Sequence, residues 1–325
     1  MALIAAGCSP VNPVPAPATN QPSQSAGLAA SPSPPAARLL KRLPVAGITA
    51  LAPSAGGVWY ARSDGTHGWI GQIDSDGREA EQRVGPRPIA IATGGGSVYV
   101  AEAAGDDSTA ARQNLVERID PGSFKVLASA SVGSPTDLTV LGNSVWVVTS
   151  GGDALALSAS DLRTRGSVSL QGSGPAHIAS AGKMLWVVNA KTEPAGYLLE
   201  QIDPVRVQQE RTIPVEGGGT IAALAGGSLV WLATLGPVAG SGLLRSVDPD
   251  GSMSTPVLIG APAGLVETDN RVWWASVDGR LGALDVRSLT TYSQVPVGTS
   301  GSALTVSSGL VWMAGDDLVL LQPSP

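Results

Sequence analysis

The side chains able to do acid–base or binding chemistry are few, and two of them share an address. Asp137 stands nine residues before Trp146, and His177 stands nine before Trp186. Pro135 and Pro175 precede them at one common offset. A carboxylate beside an imidazole favours the charged ring and raises its pKa above about 6.5. Such a pair binds a ligand or ion, or it serves as a hydrogen bond tying two structural units. The other histidine, His67, lies far earlier, in Asp64-Gly-Thr-His67-Gly. Glu102, Asp106 and Asp107 offer oxygens to Ca²⁺, but their spacing matches no calcium loop and reads as a solvated acidic loop. No Cys/His cluster suggests zinc. The glycine runs at 94–96 and 217–219 join strands instead of opening a phosphate-binding helix. No serine has the motif of a nucleophile with its base. The sequence therefore assigns no catalytic residue, no metal and no cofactor.

The elements that must position Asp137 and His177 come from a stretch that recurs seven times. An apolar residue is followed after four positions by a turn residue and after four more by an aromatic in an apolar run. The aromatics are Trp59, Tyr99, Trp146, Trp186, Trp231, Trp273 and Trp312, spaced 40, 47, 40, 45, 42 and 39 residues apart. That period with short apolar runs marks a propeller array. Each repeat contains four strand-like pieces. In the fourth they are Ile178–Ser180, Met184–Val188, Tyr197–Ile202 and Gln209–Val215, with turns at Gly182 and Asp203-Pro204. Asp-Pro recurs at Asp120-Pro121 and Asp248-Pro249, with Asp74 and Asp285 in the same place; the third repeat has only Leu157-Ser158 there. Asp bonds its own backbone in a turn and Pro presets φ. The spacing predicts an all-β, seven-bladed β-propeller of four-stranded antiparallel blades with almost no helix.

The residue just before the first-strand apolar position is Ala50, Ala90, Asp137, His177, Ile221, Gly264 and Ala303 in successive repeats. First strands are innermost in a propeller, so Asp137 and His177 are expected side by side at the mouth of the central channel. The longest loops after second strands, in repeats two, four and five, share that face. Ring closure is also readable. The last repeat ends at Pro325 without a fourth strand, while Arg42-Leu43-Pro44-Val45 matches the fourth strands at Thr212–Val215 and Gln294–Val297. The amino-terminal piece should complete the last blade. Proline is tolerated there because an outer edge needs no ladder N–H. The aromatic column reads as core, each ring burying about 150–250 Å².

The charge balance is −6 and charged residues are 14%, so no basic stripe is available for nucleic acid. No apolar run is long enough for a spanning helix. The lone cysteine, Cys8, excludes an internal disulfide. Residues 9–37 are rich in Pro, Ser and Ala and carry no charge, the composition of an extended spacer.

Two resemblances follow from these residues. Leu3-Ile-Ala-Ala-Gly-Cys8 resembles the lipobox of bacterial lipoproteins, which implies cleavage before Cys8 and diacylglycerol on its sulfur. Ala5 stands where Leu is usual, and Met1-Ala2 supply no positive region, so residues 1–7 read as a signal-peptide remnant. The aligned repeats, Pro-x-x-apolar, Gly-x-x-Val-Trp-Val, Ile-Asp-Pro and Pro-Val-Gly, resemble the bacterial streptogramin lyase-like and YVTN (YncE-like) propeller superfamily over residues 38–325. That resemblance implies lyases, receptor-kinase sensor domains or envelope proteins. Streptogramin lyases use a histidine pair, a glutamate and Mg²⁺ on the loop face. His67 and His177 fall in repeats one and four, so no catalytic role is carried over. The expected layout is a lipid anchor at Cys8, a linker over 8–37 and a propeller over 38–325, held outside the cytoplasm on the bacterial membrane. The expected role is a monomeric, non-enzymatic binding or scaffolding module for an unnamed protein or small molecule. A lyase-type enzyme at the channel mouth and an extracytoplasmic sensor are the alternatives.

Overall fold

A computed structural model describes residues 33–325 apart from 86, 105–113, 192–195, 216–221, 228, 269, 299–300 and 302. Seven four-stranded antiparallel sheets form seven blades, and no helix occurs among the described residues. Blade one contains Ile48–Ser54, Gly57–Ser63, Gly68–Asp74 and Glu79–Val84. First strands contact first strands all the way round, from blade one to blade seven and back to blade one. The fold is the expected seven-bladed β-propeller.

Strand alternation explains the core. Along each second strand, successive side chains face opposite neighbours. Trp146 packs towards blade four while Val145 and Val147 pack towards blade two. Seven hydrophobic clusters result, one in each gap between adjacent blades. The seven column aromatics are all 3% exposed or less. At roughly 25 cal/mol per Å² each contributes several kcal/mol, as an upper bound. Tyr99, the one tyrosine in the column, sends its hydroxyl to the Ala159 carbonyl of the next blade at 2.8 Å.

The Asp turns do what their chemistry allows. Asp203 Oδ1 accepts from the Val205 and Arg206 amides, and Asp285 Oδ1 from those of Arg287 and Ser288. Blade three keeps the turn with Ser158 in the aspartate's place, and Leu162 N–H still returns to the Ser158 carbonyl at 2.8 Å. Phe124, Leu162 and Val207 then take left-handed backbone. Each is a strained conformation for a branched or bulky residue. Each inserts its side chain into the gap with the preceding blade, which offsets the strain; Phe124 meets Trp59 at 5.1 Å between ring centroids.

One column of the second strand admits two solutions. In blades one and six the residue after the aromatic is Tyr60 or Trp274, and the cross-strand partner is Gly71 or Gly282. A Cβ on either glycine would fall inside the ring. The bare glycine lets Tyr60 reach over the third strand to Glu79 and Glu81 on the fourth. In blades two and four the small partner is Val100 or Val187, and the third strand carries Glu117 or Glu200.

The amino-terminal strand Ala37–Leu43 is the outer strand of blade seven, antiparallel to Leu318–Pro323, with Ala37 opposite Pro323 and Leu43 opposite Leu318. The packed unit begins at Ser33, before Arg38, because Ala36 and Ala37 are already buried. The arm also crosses to blade six. Ser293 donates from its amide to the Pro34 carbonyl at 2.9 Å, and Ala36 donates to the Ser293 carbonyl at 2.9 Å.

Candidate site at the channel mouth

Asp137 and His177 lie in the first strands of blades three and four, Pro135–Leu141 and Ser173–Ala181. They face Val148 and Val188 across their own hairpins, the pairing expected from their equal offsets from tryptophan. Ala50, Ala90, Gly264 and Ala303 have the same cross-strand relation in their blades; Ile221 lies outside the described residues.

A threonine just before Asp137, and another just before Ala50, ties each of those blades to the next. Thr136 Oγ1 donates to the Ala176 carbonyl of the next blade at 2.8 Å, and Thr49 repeats the contact from blade one to the Pro88 carbonyl at 2.7 Å. This stitch sets neighbouring first strands in register. It brings His177 Nδ1 to 3.4 Å from Asp137 Oδ2. The same oxygen accepts from the Ile178 amide at 3.2 Å, and Oδ1 accepts from Leu138 N–H at 2.8 Å. Both carboxylate oxygens are thus committed to backbone, and one of those amides belongs to the adjacent blade.

The imidazole is held differently. Crowding by protein disfavours the charged ring, but the hydrogen bond and negative charge of Asp137 outweigh it, and the His177 pKa is raised. The enclosing protein does not seal the ring: 44% of the side chain remains open to solvent, against 25% for Asp137. A solvent-lined, protein-walled position accounts for both properties. With Nδ1 turned to Asp137, Nε2 is the edge left for a visitor. The arrangement stabilises an imidazolium that donates a hydrogen bond outward. The carboxylate orients that ring.

The other histidine is not brought to this place. His67 stays in the loop of blade one, where Asp64 caps its turn and contacts Nδ1 at 3.3 Å. Cys8, Asp106 and Asp107 lie outside the described residues. Among the described residues no group of three or more His, Cys, Asp or Glu is arranged to hold a metal.

Glu102 departs from its reading as part of an acidic loop. It is the last residue of the strand Ser97–Glu102 and is 3% exposed. It belongs to a series of buried polar residues at or near the ends of second strands: Glu102, Thr149, Asn189, Thr234 and Ser276. Sequence reasoning passed over this series. Its signal was present, since each stands three residues after the column aromatic. In blade four it joins a hydrogen-bond network around Glu200. Glu200, fully buried, accepts from the Gln171 and Gly172 amides, from Asn189 Nδ2 at 2.8 Å, and from Gln209.

The fold and this site define a seven-bladed propeller with a carboxylate-oriented histidine at one channel mouth. No family model and no curated protein matches the chain. Among solved structures 1237 chains match. One of them is Kuenenia stuttgartiensis hydrazine synthase, with a TM-score of 0.72 and 15% sequence identity, covering 87% of this chain and 96% of that one. At that identity the likeness concerns the fold alone.

Proposed function

We propose that this protein is a cell-envelope lipoprotein, anchored through Cys8, whose propeller is a non-enzymatic binding module presenting its channel mouth and loop face to a partner. The observation that carries the binding reading is the wiring of the Asp137–His177 pair. Its carboxylate accepts from two backbone amides and faces the ring, while the ring keeps an open edge. Below its raised pKa that ring is charged and offers a donor instead of a lone pair. An oriented imidazolium suits recognition of a ligand group that accepts a hydrogen bond or carries negative charge. The YVTN-like repeat pattern and the lipobox-like segment support the envelope setting. A lyase of the streptogramin type is less well supported, because His67 and His177 stand in blades one and four.

The test combines anchoring with capture. Full-length protein is expressed with a complete leader, and membranes are crosslinked, affinity-purified and analysed by mass spectrometry. The wild type is expected in the detergent-soluble membrane fraction with a lipid mass shift, and Cys8→Ser without either. Diacylglycerol supplies two chains, which favours stable attachment. A partner retained by the wild type and lost from His177→Ala supports the binding site. Equal membrane recovery and mass for Cys8→Ser overturn the anchor; identical capture by His177→Ala overturns the site.

A further inference from the structure

Blades two and four contain the same structural position filled in two ways. In blade four, Asn189 stands near the end of the second strand and Glu200 sits on the third opposite Val187. In blade two, Glu102 takes the asparagine's place and Glu117, opposite Val100, takes that of Glu200. Strand alternation puts Glu102, Val100 and Glu117 on one face, and Val100 packs against blade one. The incoming linker glycine is equivalent as well. A Cβ on Gly172 would strike Asn189, and one on Gly85 would strike Glu102 Oε2.

The donors are not equivalent. Glu200 has an amide side chain, two backbone amides and Gln209. In blade two the asparagine donor has become an acceptor, and the place of Gln209, opposite Ile202, is taken by Val126, opposite Ile119. Gly85 N–H serves Glu102. Glu102 Oε1 is buried with no N–H or O–H donor among the described residues. A buried carboxylate oxygen facing a second carboxylate is strongly disfavoured unless a proton lies between them.

We infer that Glu102 and Glu117 share one proton, making the joint between blades one and two a pH-sensitive contact. Burial first, and then the negative charge of Glu117, push Glu102 up to about 7; burial raises Glu117 as well. Among the described residues no basic side chain offsets this. Arg83 on the outer strand of blade one and Arg87 in the linker are exposed, and Arg118 turns to the other face, towards Ser97 and the Ser160 carbonyl. Of the two acids on that outer strand, Glu81 pairs with Arg62 and Glu79 accepts from Tyr60. The folded pKa lies above the unfolded one, so the proton's stabilisation is complete at low pH. It is lost as pH rises from about 4.5 to about 7 and is absent above that.

Glu102→Gln replaces the proton with an amide donor, the arrangement blade four already uses. In urea titrations of the full chain at pH 5 and pH 8, the wild-type unfolding constant should rise on the order of 100-fold more than that of Glu102→Gln. At pH 8 the variant should be the more stable protein. Parallel pH slopes overturn the inference. Stabilisation of the wild type at pH 8 by millimolar Ca²⁺, absent in Glu102→Gln, also overturns it and identifies a metal site. A second readout does not depend on stability. Carbon-13 NMR of the glutamate carboxyls should show one titration near pH 7 in the folded wild type that disappears in the variant. If every glutamate titrates in the ordinary range near 4–5, no proton is shared.

Discussion

Gly71→Ala should destabilise this protein through one ring, and a second substitution should reverse the effect. Tyr60 is fully buried over Gly71, and its hydroxyl is pinned by Glu79 and Glu81. Glu81 is itself clamped by both Nε and Nη2 of Arg62. The ring therefore cannot withdraw from an added methyl, which would overlap its Cζ and Oη. Forcing a group into a filled core costs about 1–3 kcal/mol. In a Tyr60→Val background the space is open, as it is beside Val100 and Val187. There the alanine should be favourable by about 0.5–1 kcal/mol, since glycine is the poorer strand residue. The expected coupling is about 1.5–4 kcal/mol in a double-mutant cycle. Chemical denaturation of the four proteins, with equal m-values, measures it. Additive effects, or a neutral Gly71→Ala in the wild-type background, would refute the account of why glycine stands there.

Other outcomes follow from the same geometry. Removing residues 1–32 should leave the melting temperature unchanged, whereas removal through Leu43 should lower it sharply, because the edge Leu318–Pro323 is uncovered; equal melting temperatures would exclude the closure. Glu200→Ala should cost about 3 kcal/mol or more, since it strands the Gln171 and Gly172 amides and Asn189 in a dry interior; calorimetry reads this. Asp137→Asn should lower the His177 pKa, measured by proton NMR. In the wild type this pair stabilises below about 6.5 and ceases to do so as pH rises through the higher folded value. Ligand capture at the channel mouth should weaken over the same rise in pH.

The fold was legible because the determinant repeats. A buried aromatic every forty-odd residues, with Gly and Asp turns at constant offsets, is visible in one dimension. Asp137 and His177 were legible for the same reason, since equal distance from Trp146 and Trp186 means equal height in adjacent blades. Glu102 and Glu117 were not. They belong together only through the register of one hairpin, and the third-strand position varies among Gly, Glu, Leu, Arg and Val from blade to blade. The sequence Glu102-Ala-Ala-Gly-Asp-Asp also reads as the start of a loop, although the strand carries Glu102 inward before it ends. Arg38 as the start of order was late for a related reason: Pro34, Ala36 and Ala37 look like spacer, and only the edge offered by Ser293 and Ser324 gives them partners.

The clasp of blade seven also sets a timetable. Ala37 and Pro323 are nearly a whole chain apart, and Ser324 N–H reaches the Ala36 carbonyl at 3.0 Å. The first strand to leave the ribosome must wait for the last. Blades one to six have all their strands in sequence and can assemble during synthesis, but the ring has no means of locking until Leu318–Pro323 has been made.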